Sequence, residues 1–297
     1  MDNTVGGFLQ SRRARIQPED VGLPPYGRRR VPGLRREEVA QLAGVSVDYY
    51  IRLEQGRGRH VSDEVLDAVA RVLRLDPAEH EHLRDLARPG RAPRSGSRAP
   101  AASPRVRPGV RLMLDGMRDV PAFVLGRRMD VLAWNDLCGA LQDFRPGTVP
   151  NMVRAVFQSP DARSLYPDWP AVAAETVAYL RLDAGKHPDD PELAALVGEL
   201  SVRSEDFRRL WADHLVKEKT FGVKRIDHPV AGELELAYET LALPGDPDQT
   251  VVVYSSAGSR TAERLALLAS WTAGPPAVTT PATHPAAPDG SRPAPSA

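Results

Sequence analysis

The sequence predicts a two-domain protein, in which an all-α domain of five helices is followed by an α+β domain. The chain has 297 residues, of which 42% are hydrophobic, and this is enough to build two separate cores. Apolar residues recur at helical spacing up to residue 87, whereas short β-prone runs and helical segments follow one another after residue 121. Residues 89–108, rich in Pro, Gly, Ser, Ala and Arg, predict a flexible linker. We therefore predict domains at 1–88 and 109–273, followed by a disordered Pro-rich tail at 274–297.

Charge is divided unevenly along the chain. Residues 1–107 contain 20 arginines and no lysine against 14 acidic residues, a net charge of +6, and the rest of the chain carries −6. This asymmetry predicts an anionic partner for the first domain. The sequence has no apolar run of about 20 residues and no signal peptide, so we expect a cytoplasmic protein without a membrane partner. Cys138 is the only cysteine, which excludes intramolecular disulfides, and its apolar neighbours place it in the core.

Five helices are predicted in the first domain from apolar spacing and from residues that favour helix ends. The first, second and fifth helices are predicted at 5–16, at 35–44 and from Asp76-Pro77 to Ala87. The third and fourth helices are predicted to begin after Ser46 and after Ser62. In the second helix, Val39, Leu42 and Ala43 share a face at helical spacing and are expected in the core. Gly44 ends this helix because it adopts the left-handed backbone conformation at low steric cost.

The second and third helices are separated by a very short turn. Only Gly44 and Val45 stand between them, and the side chain of Ser46 can cap the third helix. This arrangement is a helix-turn-helix, a motif in which the second helix of the pair enters the major groove of DNA. The predicted DNA contacts on the cap and the outward face of the third helix are Ser46, Val47, Asp48, Tyr49 and Arg52.

Segment 35–56 resembles the helix-turn-helix of the XRE/Cro-repressor family. It matches the spacing E-E-x-A-x-x-x-G-x-S from Glu37 to Ser46 and continues into Leu53-Glu54-Gln55-Gly56. The resemblance implies a lambda-repressor-like fold and a structural pair between Glu54 and an arginine of the first helix, here Arg13. Most members of the family carry a phosphate-contacting glutamine where this chain has Arg36, whose charge can still reach a phosphate.

Three consecutive arginines, Arg28, Arg29 and Arg30, precede the first helix of the motif. With Arg35 and Arg36 they are predicted to contact DNA phosphates or the minor groove, because helix N-termini and basic side chains commonly meet the DNA backbone. The alternative is a solvated loop that packs on the domain's own acidic residues. The adjacent motif favours the DNA contact.

The second domain opens with two β-prone runs, 121–125 and 129–134, separated by Gly126-Arg127-Arg128, which predicts a hairpin. Asn135 follows as the predicted cap of an apolar helix. The remaining predicted elements are helices at 151–157, 169–183, 191–201 and 204–214, strands near 216–226, 232–243 and 250–256, and a final helix at 259–271. The order is that of an α+β fold, and its opening resembles PAS domains, which enclose a small-molecule cavity.

Over residues 1–271 the chain is similar to XRE-type regulators with a MmyB-like ligand-binding domain. The similarity rests on the helix-turn-helix segment and on PAFVLGRRMDVLAWN, FRRLWADH, HPVAGELELAYETLALPGD and LALLASW. It implies a PAS-like second domain, no cofactor beyond a fatty-acid-like or similar apolar ligand, and a role in regulating specialised metabolism. The candidate ligand-binding residues are Phe123, Trp134, Asn135, Tyr179, Phe207, Trp211, Tyr238 and Tyr254. An ordinary core position is the favoured alternative for any single aromatic residue, and helix capping comes first for Asn135.

An enzyme tethered to DNA and a dimerisation or protein-interaction module are the alternatives. His80 and His82 lie two residues apart, without the i, i+4 spacing of a zinc-binding helix, and we interpret them as a surface feature. His187, Asp189 and Asp190 are predicted to cap the helix that follows them rather than to bind metal. Neither a Gly-x-Ser-x-Gly motif nor a P-loop is present, so no catalytic or metal-binding residue is predicted. The favoured function is a regulator that binds a double-stranded operator as a homodimer and senses a small apolar ligand.

Overall fold

A computed structural model of the chain describes residues 4–24, 32–57, 61–87, 105–217 and 220–272. The predicted two-domain layout is confirmed. Helices form the first domain, and a five-stranded antiparallel sheet with further helices forms the second. Among the helices of the described ranges, none has the length and the apolar character needed to cross a bilayer.

Five α-helices build the first domain, as predicted. They are α1 (Val5–Arg13), α2 (Arg36–Ala43), α3 (Val47–Glu54), α4 (Asp63–Val72) and α5 (Pro77–Ala87), with an additional 3-10 turn at Pro18–Val21. The side chains of Thr4, Ser46 and Ser62 accept backbone N–H groups at the starts of α1, α3 and α4. The inward faces meet in one core that contains Phe8, Leu9, Leu34, Tyr50, Leu53, Leu66 and Leu83.

One core prediction in α2 is wrong. Leu42 is 38% exposed, whereas Val39 and Ala40 are completely buried. α2 packs against both α3 and α4, so its buried face is centred between Val39 and Ala40 rather than between Val39 and Ala43. Helical spacing fixes which residues share a face, but the neighbouring helices decide which part of that face is covered.

The second domain is organised around a sheet with the strand order β2-β1-β5-β4-β3. The strands are β1 (Ala122–Leu125), β2 (Val131–Trp134), β3 (Phe221–His228), β4 (Gly232–Ala242) and β5 (Thr250–Ser256). The predicted hairpin is confirmed, since β1 pairs antiparallel with β2 through a 3-10 turn at Arg127–Met129. Alternate residues of β1 point to two different cores: Phe123 lies in the larger one, and Ala122 and Val124 lie in a smaller one.

Seven helices of this domain enclose the larger core together with the sheet. They are α7 (Asp136–Gln142), α8 (Met152–Gln158), α9 (Ala162–Leu165), α10 (Trp169–Lys186), α11 (Pro191–Arg203), α12 (Glu205–Ala212) and α13 (Ser259–Thr272). All were predicted except the short α9. Cys138 is completely buried in this core, as expected.

The predicted linker reaches too far along the chain. It was expected to end at Pro108, but Pro108 is the first residue of an unpredicted helix, α6 (Pro108–Gly116). Val110 and Leu114 of this helix pack on the smaller core of the sheet. Before it, Arg107 forms an ion pair of 2.6 Å with Asp246. Proline is favoured in the first turn of a helix because its missing N–H is not needed there. The first residue of a helix can therefore be mistaken for the end of a Pro-rich linker.

Candidate nucleic-acid interface and second-domain core

The turn between α2 and α3 has the geometry of a helix-turn-helix. Gly44 follows α2 with a φ of 69°, and the Ser46 hydroxyl accepts the N–H of Tyr49 at 3.2 Å, which caps α3. A Cβ at position 44 would meet no other atom, so the left-handed backbone alone explains this glycine. The predicted motif is therefore present with the expected helix ends.

The predicted DNA contacts on α3 differ in their exposure. Asp48 and Arg52 are exposed, with the Arg52 Nε donating to the Asp48 carbonyl oxygen at 3.4 Å, and Tyr49 is half-buried. Val47 packs partly against the core of the first domain, so its outward surface is smaller than expected. Ser46 is exposed and uses its oxygen as the helix cap, which leaves its hydroxyl proton available for a phosphate.

Glu54 ties three helices of the first domain together. Its Oε1 accepts from the Arg13 guanidinium of α1 at 3.3 Å, which confirms the predicted pair. The same oxygen accepts from Nε and Nη2 of Arg36 in α2, at 3.0 Å and 2.8 Å. Arg13 also donates to the Leu34 carbonyl oxygen at 2.6 Å. This network fixes the orientation of α3 relative to α1 and α2.

Arg36 makes a contact that was not expected from the sequence. Its guanidinium was predicted to reach phosphate, but it is bonded to the buried Glu54 carboxylate, which raises the pKa of Arg36. Arg35 fits the prediction better, because it is exposed at the start of α2, where its backbone N–H donates to Glu38 at 2.7 Å and its carbonyl oxygen accepts from Val39 N–H at 3.1 Å. The prediction for Arg28, Arg29 and Arg30 lies outside the described residues.

The aromatic candidates of the second domain fall into two groups. In the first, Phe123 stacks on Tyr254 with the ring centroids 6.1 Å apart, and Tyr254 lies edge-on to Tyr238 at 6.4 Å. The Tyr238 hydroxyl is hydrogen-bonded to that of Tyr179 at 3.2 Å. In this tyrosine group, burial raises the pKa of Tyr254 well above its usual range.

The second group lies on α12. Phe207 stacks on Trp211 at 5.7 Å and meets Phe157 edge-on at 5.2 Å. The indole N–H of Trp211 is buried and has no acceptor among the described residues. Trp134 belongs to neither group; it is half-buried and packs against Phe144 at 5.4 Å.

Asn135 caps α7, as predicted. Its Oδ1 accepts from Cys138 N–H at 2.9 Å and from Ala122 N–H at 3.1 Å. Its Nδ2 donates to the carbonyl oxygens of Met117 and Val120 at 2.6 Å and 2.7 Å. Both donors and both acceptor positions of the amide are therefore used by the protein itself. Asp190 likewise caps α11 as predicted, by accepting from Glu192 N–H at 3.0 Å.

A chain of basic groups joins the two domains. Arg12 of α1 donates to the carbonyl oxygen of His214, which follows α12, at 2.6 Å. The His214 Nδ1 lies 3.2 Å from Nη1 of Arg181 in α10, and Arg181 also donates to the Trp211 carbonyl oxygen. The Arg181 guanidinium lies over the Trp211 ring, 4.0 Å from its centroid. A continuous set of contacts therefore runs from the aromatic core of the second domain to α1.

The prediction that His82 is a surface residue is wrong. Its ring is completely buried, and it meets the Phe8 ring edge-on at 5.2 Å. A Cβ on Gly185 of α10 would lie 2.3 Å from His82 Nδ1, so the absence of a side chain at this position lets the domains approach. Burial lowers the pKa of His82 to about 3 and that of His214 to about 4. Both histidines are therefore neutral at pH 7.

Because the pKa values of these two histidines are lowered in the folded protein, we predict that acid weakens the contact between the domains. An unfolded histidine has a pKa of about 6.5, so the unfolded chain binds protons before the folded chain does. Stability is fully present above about pH 6.5 and falls as the pH drops towards 4, by up to about 1.4 kcal/mol per pH unit for each histidine. We expect His82→Leu to flatten the dependence of the free energy of unfolding on pH, measured with urea between pH 5 and pH 7.5. His80→Leu, on the same helix, is the control; equal slopes for His82→Leu and the unchanged protein would contradict the prediction.

Comparisons with known proteins agree with this architecture. A family model described as "MmyB-like transcription regulator ligand binding domain" matches residues 106–268, which is more than half of the chain. A second model, described as "Helix-turn-helix domain", matches residues 4–83 and covers the Glu54 network. No curated protein matches the chain. The chain therefore belongs to the family of transcription regulators that join a helix-turn-helix domain to a MmyB-like ligand-binding domain.

Proposed function

We propose that this regulator binds a double-stranded operator through α3 and that a small apolar, fatty-acid-like ligand in the second domain controls this binding. The observation that carries the DNA-binding part is the exposed face of α3, where Asp48 and Arg52 project from a helix capped by Ser46. The Glu54 network bonds this helix to α1 and α2, which supports a fixed orientation for recognition of base edges. Arg35 supports the same proposal as an exposed phosphate contact at the start of α2. We also propose that the protein is located in the cytoplasm.

Arg52→Ala is expected to weaken specific operator binding by about 1 to 3 kcal/mol and to reduce discrimination between sequences, because arginine reads base edges with two donors. Once selection from random duplexes has identified an operator, footprinting titrations at several salt concentrations measure the effect. Arg111→Ala, which removes an exposed arginine of α6 in the second domain, is the matched control. If Arg52→Ala weakens binding equally for operator and random DNA, α3 does not read the sequence.

The aromatic groups of the second domain support the proposal that this domain binds an apolar ligand. Phe123, Tyr238 and Tyr254 provide apolar ring surface beside the hydroxyls of the tyrosine group, and Trp211 offers a buried donor that lacks an acceptor among the described residues. Apolar walls with a few polar groups are typical of small-molecule sites. Extraction of the purified protein followed by mass spectrometry tests this proposal. Reproducible absence of a bound molecule, with no thermal shift from fatty acids, would favour the interaction-module alternative.

The contacts between the domains offer a path by which a ligand in the second domain could control DNA binding by the first. Any ligand that moves α12 must also move Trp211, whose carbonyl oxygen and ring both contact Arg181. Arg181 meets His214, and His214 is bound by Arg12 of α1, whose partner helices include α3. Ligand binding can therefore change how the DNA-binding domain is held.

A homodimer is part of the proposal. Two copies on a palindromic operator would double the surface that reads DNA and increase the apparent affinity. Light scattering after size exclusion, on the free protein and on the DNA complex, measures the state directly. Monomers in both samples would exclude the homodimer without affecting the assignment of α3.

A further inference from the structure

Lys224 occupies an inward position on the edge strand β3. The strand alternates, so that Phe221, Val223 and Arg225 are exposed while Ile226 is buried in the core of the second domain. Lys224 is on the same side as Ile226 and is only partly exposed, directly opposite the buried Leu236 of β4. The pattern calls for an apolar side chain at this position, but the sequence places an ammonium there.

The surroundings of this ammonium are aromatic. Its Nζ lies 5.4 Å from the ring centroid of Tyr166 and 5.9 Å from that of Tyr238. Among the described residues, no group forms a hydrogen bond or an ion pair with it. Glu175 acts on it at longer range, but the Glu175 carboxylate is bonded to Lys217. Burial lowers the pKa of Lys224, with Glu175 opposing the shift.

A second donor without an acceptor belongs to Gln142, which contacts the Tyr166 hydroxyl. The Tyr166 hydroxyl donates to Gln142 Oε1 at 3.2 Å, while the Nε2 of the same amide is buried and meets no acceptor among the described residues. A buried donor without an acceptor is unfavourable by about as much as a lost hydrogen bond. Tyr166 therefore contacts two donors, the partly exposed Lys224 ammonium and the buried Gln142 amide, that have no acceptor among the described residues.

We propose that the Lys224 ammonium binds the anionic head group of the ligand, which makes that ligand an amphipathic organic anion, with a carboxylate as the simplest case. This inference rests on the proposed ligand-binding function and adds its polar anchor. A carboxylate supplies the negative charge that offsets the desolvation of the ammonium. The apolar tail would then lie along the rings of Tyr238, Tyr254 and Phe123, which follow one another across the inner face of the sheet.

Paired probes on the full chain test the head group separately from the tail. Dodecanoate and dodecan-1-ol share the tail and differ in charge, and calorimetric titration gives the affinity of each. We expect the unchanged protein to bind dodecanoate about 10- to 100-fold more tightly than dodecan-1-ol, because a charge-assisted hydrogen bond is available only to the anion. Lys224→Met should abolish that preference and leave dodecan-1-ol within about 2-fold, whereas Lys224→Arg should retain most of it.

Arg225→Met is the control, since it removes a positive charge from the opposite face of the same strand. It should keep the preference for the anion. If the unchanged protein binds both probes equally, or if Lys224→Met keeps the preference, the assignment of Lys224 is wrong while ligand binding stands. If the unchanged protein binds neither probe, the proposed ligand-binding function fails and the anchor fails with it. If Lys224→Met does not fold, equal binding of both probes by the unchanged protein would still contradict the assignment of Lys224.

Discussion

Replacing Glu54 by alanine is expected to destabilise the first domain by about 3 kcal/mol. The carboxylate is 6% exposed and accepts from both Arg13 and Arg36, so its removal leaves the buried Arg13 guanidinium without its negative partner. Loss of one member of a buried ion pair typically costs about 3 to 5 kcal/mol. The lower end applies here because Arg13 keeps its hydrogen bond to the Leu34 carbonyl oxygen.

Urea unfolding followed by circular dichroism measures this effect. Glu81→Ala, an exposed acidic residue of α5 in the same domain, is the control and should change stability by less than about 0.5 kcal/mol. Operator binding should fall as well, because the Glu54 network positions α3. A Glu54→Ala protein as stable as Glu81→Ala would show that the network has no structural importance.

Phe207→Ala is expected to destabilise the second domain by about 3 to 5 kcal/mol, the usual range for removing a buried aromatic ring. Phe207 is completely buried, and its ring contacts Trp211 and Phe157. Its removal would leave a cavity beside Trp211. Arg181 contacts Trp211 and is part of the set of contacts between the two domains. We therefore expect weaker ligand control of DNA binding as well as lower stability.

Phe221→Ala is a matched control, because Phe221 lies in the same domain but is 70% exposed. Its free energy of unfolding should stay within about 0.5 kcal/mol of the unchanged protein. Thermal unfolding of both variants, with and without a fatty acid, shows whether Phe207 stabilises the core or contacts the ligand. A stable Phe207→Ala protein that no longer responds to the fatty acid would make Phe207 a ligand contact rather than a core residue.

Local chemistry explains what could be predicted from the sequence. Ser46, Asn135 and Asp190 each cap the helix that the sequence places after them, because the bond involves backbone only two or three residues away. The Arg13–Glu54 pair was expected from the family resemblance rather than from spacing. The helix-turn-helix could be located because all its signals lie within about 20 residues.

The errors arise where a distant part of the chain decides the outcome. His82 was assigned to the surface because nothing near it in sequence reveals that Gly185 packs on its ring. The bond between Arg36 and Glu54 was missed because it crosses from one helix to another. Lys224 was overlooked, since its inward position is evident only when the pairing of β3 with β4 is known.

The complete burial of Cys138 has a practical consequence. Thiol reagents reach buried cysteines poorly, and this chain has no other cysteine. The unchanged protein is therefore a suitable background for attaching a donor dye to one domain and an acceptor dye to the other through introduced surface cysteines. Energy transfer between the dyes would then report separation of the domains in real time, without first removing the native cysteine.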